Sequence, residues 1–194
     1  MTSGADIDLE NRAQAEPALA QVVKMHDILP GIQQLTDING VFDKIVQGVV
    51  DGLGYCGAMV AALDEKEQSL AVQAIAYNSF TRRQDWSRVE KLFGIQIIGN
   101  SVSLDKHPHN LGVQTCLTGE TKITHHLADL FQPLVAPNLC RRIQRNIGIK
   151  SCVSIPLLVD GRAVGNLYAG TRRREISEAD LEALAQRPIE VVVE

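Results

Sequence analysis

Hydrophobic residues recur along this sequence with two different periods, and the change between them predicts where helices give way to strands. The first pattern begins near Glu16 and spaces its apolar positions by four, three, four and three residues, at Ala18, Val22, Met25, Leu29 and Ile32. This spacing is typical of the seam of a coiled coil or of a helix pair. Two interpretations stay open: the helix packs on its own domain, or it forms a dimer contact.

A second helix is predicted to begin near Asp37 or Asn39, both favourable N-cap residues, and to end in the Asp51–Gly54 run. The period then shortens, and two apolar runs at Cys56–Leu63 and Leu70–Tyr77 predict a hairpin of two strands. The next segment is predicted as a short helix over Thr81–Leu92, a strand over Ile95–Ile98 and a loop over Gly99–Asn110.

The second half of the chain repeats this alternation. Its predicted elements are a helix over Leu111–Leu117, a strand over Thr121–Thr124, a helix over Ala136–Ile147, strands over Ser151–Val159 and Arg162–Gly170, and a last helix opened by Ser177. The Asp160-Gly161 pair between the two strands is a strong signal for a type I′ turn. Ser177 and Asp180 resemble a capping box, and Pro188 interrupts the pattern of the last helix.

Hairpins near both ends of this order predict a largely antiparallel central sheet. The helices at the N- and C-terminal ends are expected to pack on one face of that sheet. The predicted fold class is therefore α+β, and a doubly wound parallel sheet is disfavoured.

Composition and charge reduce the number of function classes that fit this chain. The chain has 194 residues, 45% of them hydrophobic, and a net charge of −4, so a folded core is expected and no overall positive field attracts nucleic acid. Aromatic residues make up only 4%, which leaves few platforms for stacking on bases. Neither a signal peptide nor an apolar run long enough for a bilayer is present, and four widely spaced cysteines indicate free thiols. A soluble, cytoplasmic protein without membrane insertion is expected.

Several segments together resemble a GAF domain, with agreement in spacing as well as in residue type. They are Leu53–Val60, Gly119–Ile123, Ile147–Leu157, Asp160–Leu167 and Ile176–Ala185, within a resemblance that covers roughly residues 39 to 187. The resemblance implies a ligand pocket on the sheet face opposite the terminal helices. The expected organisation is an N-terminal tail and helical linker over residues 1–36, the GAF domain over 37–187, and the start of a C-terminal signalling linker over 188–194.

The resemblance also implies a regulatory role. GAF domains sense small molecules for output domains such as histidine kinases, phosphodiesterases, cyclases or transcription activators, and their flanking helices commonly join a dimer. We therefore expect a non-enzymatic sensory module of a bacterial-type signalling protein that forms a homodimer through its terminal helices. Either the chain is a piece of a longer protein that carries the output domain, or it is a stand-alone regulator. The identity of the ligand is not implied.

Two ligand classes of the family fit this sequence poorly. GAF domains that bind cyclic nucleotides carry an Asn-Lys pair and a Phe-x-x-x-Asp-Glu signature, whereas here Leu167 follows Asn166, and Asp180 alone matches the second motif. Members that bind bilins place a Cys-His pair on the helix before the central strands. Here Cys140 falls one residue late, which rotates its thiol by about 100° around a helix, and Arg141 stands where histidine is expected.

Enzymatic and metal chemistry are alternatives. Free methionine sulfoxide reductases share this fold and use cysteines around the pocket, but Cys116 and Cys140 lack the spacing associated with that family. The histidines His107, His109, His125 and His126 would need to converge to hold a metal or a haem, and an iron–sulfur cluster would need cysteines closer in sequence. We expect no catalytic and no metal-binding residue, and no required cofactor.

The pocket is expected in the segment between the two hairpins, roughly Gly94–Ile149, with Gly99–Asn110 as a lid. The residues predicted to contact the ligand are His107, His109, Leu111, Thr115, Cys116, His125, Leu139, Cys140, Arg142 and Ile143. The basic runs Arg141–Arg145 and Arg172–Arg174 have two interpretations: solvated surface charge, or, for Arg142 or Arg145, a clamp for a carboxylate or phosphate.

Overall fold

The computed structural model describes residues 38–78 and 97–193 of the chain. Within them, six strands form one antiparallel sheet in the order β3-β2-β1-β6-β5-β4. The strands are β1 (Gly57–Asp64), β2 (Ser69–Tyr77), β3 (Ser101–Ser103), β4 (Lys122–Thr124), β5 (Ser151–Val159) and β6 (Arg162–Thr171). The predicted seam from Ala18 to Ile32 and the predicted helix over Thr81–Leu92 lie outside the described residues.

Five helices cover the two faces of the sheet in the described part of the chain. They are α1 (Ile38–Leu53), α2 (Leu111–Thr118), α3 (Ala128–Phe131), α4 (Pro137–Ile147) and α5 (Glu178–Val193). Helices α1 and α5 contact each other and share one sheet face, where a core of buried aliphatic side chains forms around Val49, Val60, Val153, Leu167 and Leu184. The prediction of an α+β fold with an antiparallel sheet and terminal helices on one face is confirmed.

The other sheet face carries a second core beneath α2, α3 and α4. Alternation along β6 shows how the two cores separate: Leu167 and Ala169 belong to the first core, whereas Tyr168 belongs to the second. Met59 and Cys152 extend this second core along β1 and β5. The sheet is therefore buried on both sides and keeps the two groups of helices apart.

Local turn chemistry follows the sequence closely at two positions. Asp160 and Gly161 have φ values of 50° and 74°, so both central residues of the β5–β6 turn adopt the positive φ of the predicted type I′ turn. At the start of α5, the Ser177 hydroxyl accepts a hydrogen bond from the Asp180 backbone N–H, and the Asp180 carboxylate accepts one from the Ser177 N–H. This reciprocal pair is the predicted capping box.

Three details differ from the sequence-based expectations. The predicted strand over Ile95–Ile98 is wrong at its described residues, since Ile97 and Ile98 lie before and within a turn. The strand forms instead at Ser101–Ser103, because these residues pair with Ser69–Ala71 and bury Val102. Helix α5 continues through Pro188, whose missing N–H removes one helical bond without ending the helix. Helix α3 has no counterpart among the predicted elements, because its four residues are too few to show a period.

None of the helices within residues 38–78 and 97–193 combines the length and the apolar character that crossing a lipid bilayer would need.

Candidate functional site

A small apolar cavity lies between the sheet and helices α3 and α4, on the face opposite α1 and α5. Its volume is about 50 Å³. The lining is aliphatic, aromatic and sulfur-containing, and consists of Cys56, Gly57, Ala58, Met59, Ile75, Tyr77, Leu127, Leu130, Phe131, Ile143, Ile147, Ile149, Cys152, Tyr168, Ala169 and Gly170.

Two glycines create this space. Gly57 of β1 and Gly170 of β6 are paired across adjacent strands, and Cys152 of β5 is the next partner of Gly170. Because neither glycine has a side chain, the sheet surface is hollow at this point. A methyl group on Gly170 would lie 3.3 Å from Cδ1 of Ile149, and one on Gly57 would lie 3.0 Å from Cδ1 of Tyr77. Ile149 and Tyr77 therefore form the walls around the hollow.

Helix α4 supplies the outer wall. Ile143 and Ile147 are four residues apart, so both side chains face the cavity, while the arginines of the same helix, Arg141, Arg142 and Arg145, face solvent. Gly148 ends the helix in the left-handed conformation at φ 78°, which turns the chain back toward the sheet. The Nε of Arg172, the residue directly after β6, donates a hydrogen bond of 2.9 Å to the carbonyl of Ile147 and holds this end of the helix near the end of β6.

Hydrogen bonds from the Gln144 and Asn110 side chains hold the backbone around α3, which forms another wall of the cavity. The Gln144 side chain donates to the His125 carbonyl over 2.6 Å and accepts from the Leu127 N–H over 3.0 Å. The buried Asn110 amide caps α2 and also donates to the carbonyls of Leu130 and Gln132. The backbone around α3 is thus held by side chains of the two flanking helical segments, although α3 itself is one turn long.

Helix α2 packs directly against the sheet beside the cavity. A methyl group on Gly112 would lie 2.1 Å from the Tyr168 hydroxyl oxygen, so only glycine permits this approach. The buried Asn166 amide donates to the Gly112 carbonyl over 2.7 Å and to the Tyr168 hydroxyl over 3.1 Å. These contacts fix the ring of Tyr168 in the wall of the cavity.

The ten residues predicted to contact a ligand occupy several environments. Ile143 lines the cavity, whereas Cys116 and Cys140 are buried in the surrounding core and Leu111 and Leu139 pack against it. The Thr115 hydroxyl donates to the Leu111 carbonyl within α2.

The polar members of that set lie farther out. His107 and His109 line a separate surface cleft with Asp129, and the exposed His125 ring lies 3.1 Å from both the Lys150 carbonyl oxygen and the Ser151 hydroxyl oxygen. Arg142 lines an open cleft on the outer side of α4. The structure thus gathers part of the set around the cavity, and ligand contact by these residues stays a prediction.

Most of the cavity lining is absent from the set predicted from the sequence. The sheet residues of the lining, such as Met59, Cys152 and Tyr168, lie inside correctly predicted strands, but the predicted set comes only from the segment between the hairpins. A usable signal is present in the sequence: Gly57 and Gly170 each lie at or next to the end of an apolar strand, and a glycine in a strand often marks a close approach of another group.

The four cysteines are buried free thiols. Burial raises the pKa of Cys140 to about 11 and the pKa of Cys152 to about 12, and it also raises the pKa values of Cys56 and Cys116. All four groups are therefore protonated at neutral pH, whereas nucleophilic attack by cysteine needs the thiolate. This electrostatic environment does not favour the sulfoxide-reductase chemistry.

No group of three or more histidine, cysteine or acidic side chains is arranged to hold a metal ion in the part of the chain that the structure describes. Asp180, which matches the cyclic-nucleotide signature, caps α5 and forms an ion pair of 2.8 Å with Arg173. Burial acts to raise the pKa of Asp180, but hydrogen bonds from Ser177 and the charge of Arg173 outweigh it and lower the pKa. A structural role accounts for this carboxylate.

A second, strongly cationic space adjoins the cavity. It is an open cleft of about 660 Å³ along the outer side of α4. Its lining consists of Asn138, Arg141, Arg142, Gln144, Arg145, Gly148, Ile149 and Lys150. Four of these eight residues are cationic and none is acidic, so the cleft presents a positive potential to solvent.

The fold and the covered cavity define an α+β sandwich domain whose potential binding face lies away from its terminal helices. The model of the GAF domain family matches residues 37–187, and the chain belongs to this family.

Solved structures agree with this fold. The chain is similar to a GAF domain/HD domain protein from Geobacter sulfurreducens, with a TM-score of 0.57 and 13% identity over 84% of this chain and 94% of that one. It is also similar to residues 122 to 287 of a methyl-accepting chemotaxis protein (TM-score 0.55, 19% identity, coverage 86% and 94%). A third similar structure is the blue-light absorbing form of the PixJ GAF domain from Thermosynechococcus elongatus, with a TM-score of 0.53 and 14% identity over 84% of this chain and 86% of that one. No curated protein matches the sequence.

Proposed function

We propose that this chain is the sensory, regulatory module of a bacterial-type signalling protein and binds a small molecule in the apolar cavity beneath α3 and α4. The output domain would be of the histidine kinase, phosphodiesterase or transcription-activator type, in a cytoplasmic homodimer joined through its terminal helices. The observation that carries the proposal is the cavity itself, which is placed on the sheet face opposite α1 and α5.

The sheet offers a direct physical connection between the two faces. Met59 lines the cavity, and its neighbour Val60 is fully buried in the core beneath the terminal helices. A ligand that displaces Met59 therefore acts on the strand that also supports α1. Signalling needs only that the ligand binds two arrangements of this packing with different affinity.

Similar proteins support the regulatory role. One of the similar structures is named as a methyl-accepting chemotaxis protein and another as a light-absorbing GAF domain. Their names associate this fold with the reception of signals, which is the role proposed for this chain.

The test uses 1-hexanol as an apolar probe and methyl-group NMR spectra of the intact chain. The methyl resonances of Met59, Ile143 and Ile149, which line the cavity, are expected to shift in a saturable manner. Methyl groups of Val49 and Leu184 in the opposite core serve as the internal control. The Met59 side chain is unbranched and flexible and Ile149 is only half-buried, so both can yield to the probe and a cavity larger than 50 Å³ forms on binding.

A variant makes this test specific. Gly170→Ala places a methyl group in the cavity, and the terminal methyl of Ile149 at 3.3 Å can shift to accept it. The variant is expected to weaken hexanol binding at least fivefold without loss of the fold. Shifts confined to the α1–α5 core, or equal binding by the wild type and the variant, would show that the cavity is not the ligand site.

A further inference from the structure

Ile149 belongs to two spaces at once. It lines the apolar cavity, where its side chain covers Gly170, and it also lines the cationic cleft between Gly148 and Lys150. The segment Ile147–Lys150 is therefore the boundary between an apolar compartment and a positively charged one. A ligand that passes this boundary meets both environments.

Each compartment restricts the ligand in a different way. The cavity is lined by apolar groups, and an ion placed there would lose its hydration without gaining a partner, at a cost of many kcal/mol. The cleft has the opposite property: Arg141, Arg142, Arg145 and Lys150 are all exposed, and the Asn138 and Gln144 amides line the same space. Guanidinium groups bind carboxylate and phosphate oxygens through paired hydrogen bonds.

We propose that the ligand of this module is a short amphipathic anion, with its aliphatic part in the cavity and its carboxylate or phosphate group in the cationic cleft. This inference rests on the proposed function and adds the chemical class of the ligand. The charged group of the ligand stays in the hydrated cationic cleft, while its aliphatic part enters the cavity past Ile149. The ion therefore keeps polar partners, and the aliphatic part leaves water.

The size of the cavity restricts the length of the ligand's aliphatic part. An engineered cavity of about 150 Å³ accepts benzene. The cavity here measures about 50 Å³, a third of that volume, so a six-carbon chain enters only when Met59 and Ile149 move aside, and a long fatty acid is too large. The side chain of Ile149 is the part of the boundary that moves, because the backbone on either side is held: the Ile147 carbonyl by Arg172 and the Lys150 N–H by the Thr171 carbonyl.

The experiment compares four six-carbon probes on the intact chain by calorimetry and by the same methyl resonances. They are hexanoate, hexyl phosphate, 1-hexanol and hexylamine, which share a tail and differ in the charge of the head. Hexanoate or hexyl phosphate is expected to bind about tenfold more tightly than 1-hexanol at low salt. Hexylamine is expected to bind more weakly than 1-hexanol, because the cleft repels its charge. The stronger of the two anions identifies the head group.

Variants separate the head from the tail. The double variant Arg145→Gln/Lys150→Gln removes two of the four cations of the cleft and should reduce hexanoate affinity severalfold toward that of 1-hexanol, while 1-hexanol binding stays unchanged. Arg162→Gln removes an exposed cation at the distant β5–β6 turn and is the matched control, with no expected effect on either probe. Gly170→Ala should weaken hexanoate and 1-hexanol alike.

Three outcomes would overturn the inference. If 1-hexanol shifts the cavity methyl groups and both anions bind no more tightly, the ligand is neutral; the proposed function stands and this inference fails. If hexanoate binds with equal affinity to the Gly170→Ala variant, the cleft binds anions alone and the tail does not enter the cavity. If none of the probes shifts the cavity methyl groups, the proposed site and this inference fail together.

Discussion

Three buried ionisable side chains make the stability of this domain depend on pH in the alkaline range. The thiols of Cys140 and Cys152 and the hydroxyl of Tyr168 have pKa values of about 11, 12 and 12, because burial disfavours their charged forms. In the unfolded chain the same groups ionise near pH 9 to 10, so between about pH 9 and 12 the folded state binds more protons than the unfolded state. Stability is therefore fully present below about pH 9 and is lost as the pH rises toward 12.

Urea unfolding curves between about pH 8 and 11 measure this effect. Each such group is expected to lower the free energy of unfolding by up to about 1.4 kcal/mol per pH unit in this window. Cys140→Ala should be less stable at the low end of the range but show a flatter decline above about pH 9, because one of the groups is gone. An identical slope in the variant would mean that the Cys140 thiol ionises as readily in the folded chain as in the unfolded one.

At Gly112, a single residue determines how closely α2 packs against the sheet. Alanine is normally better than glycine in a helix by about 1 kcal/mol. Here its methyl group would overlap the Tyr168 hydroxyl, which lies only 2.1 Å from the required position, so Gly112→Ala is expected to destabilise the domain by about 2 kcal/mol. Thr118→Ala, at the exposed end of the same helix, is the control. Equal melting temperatures for the two variants would contradict the close packing of α2.

At the scale of elements, the β5–β6 hairpin depends on its turn. Gly161 has φ 74°, and no atom lies within 4 Å of the place that a methyl group on it would take, so a substitution there meets backbone strain but no steric obstacle. Gly161→Val is expected to cost about 1–2 kcal/mol and lower the melting temperature, because a β-branched residue resists positive φ. Gly161→Asn should lose less stability, because asparagine tolerates positive φ better than valine does. A valine variant as stable as the asparagine variant would contradict the type I′ turn.

The elements that the sequence predicts well are those with local causes. Asp160-Gly161, the Ser177–Asp180 box and Gly148 each act through their own backbone, so their signals are readable in a few letters. Strand β3 and helix α3 escape prediction because tertiary contacts make them: Val102 is buried by pairing with β2, and α3 is held by Asn110. Their residues carry no period of their own.

The candidate site is harder to predict for the same reason. Its lining comes from several strands and helices, and only the register of the sheet brings Gly57, Gly170 and Cys152 side by side. Polar residues such as His107 and Arg142 enter the predicted set through their chemistry, but both line surface clefts. His107 lies in a segment outside the cavity walls, and Arg142 lies on the outer side of α4. Periodicity identifies which residues are buried and does not identify which buried residues surround a space.

At the scale of the whole molecule, the terminal helices are the proposed route for both assembly and signal. Of the two interpretations of the seam from Ala18 to Ile32, the proposal takes the helical contact between two copies, because the spacing matches a coiled coil. Deletion of residues 1–36 is therefore expected to weaken self-association, measured by sedimentation velocity over a range of concentrations. The full chain is the control. Unchanged sedimentation would place the dimer contact on another surface.

Ligand binding should also leave a regional signature across the molecule. Protection from hydrogen exchange follows local opening, and a ligand present at about 100 times its Kd slows the opening of the structure that covers it by up to about 100-fold. Saturating hexanoate is therefore expected to protect α3, α4 and the Gly148–Lys150 segment more than either hairpin, since these elements cover the bound probe. The β5–β6 turn, which contacts neither compartment, is the internal reference.

The same experiment distinguishes a sensor from a mere binding domain. A probe that shifts the packing of Met59 and Val60 should also change exchange in α1 or α5, although it contacts neither helix. In the Gly170→Ala variant, where the cavity is filled, both the protection of α4 and the remote change should diminish together. Protection confined to α1 and the preceding residues would contradict the site, and protection of α4 with no change in α1 or α5 would contradict transmission through the sheet.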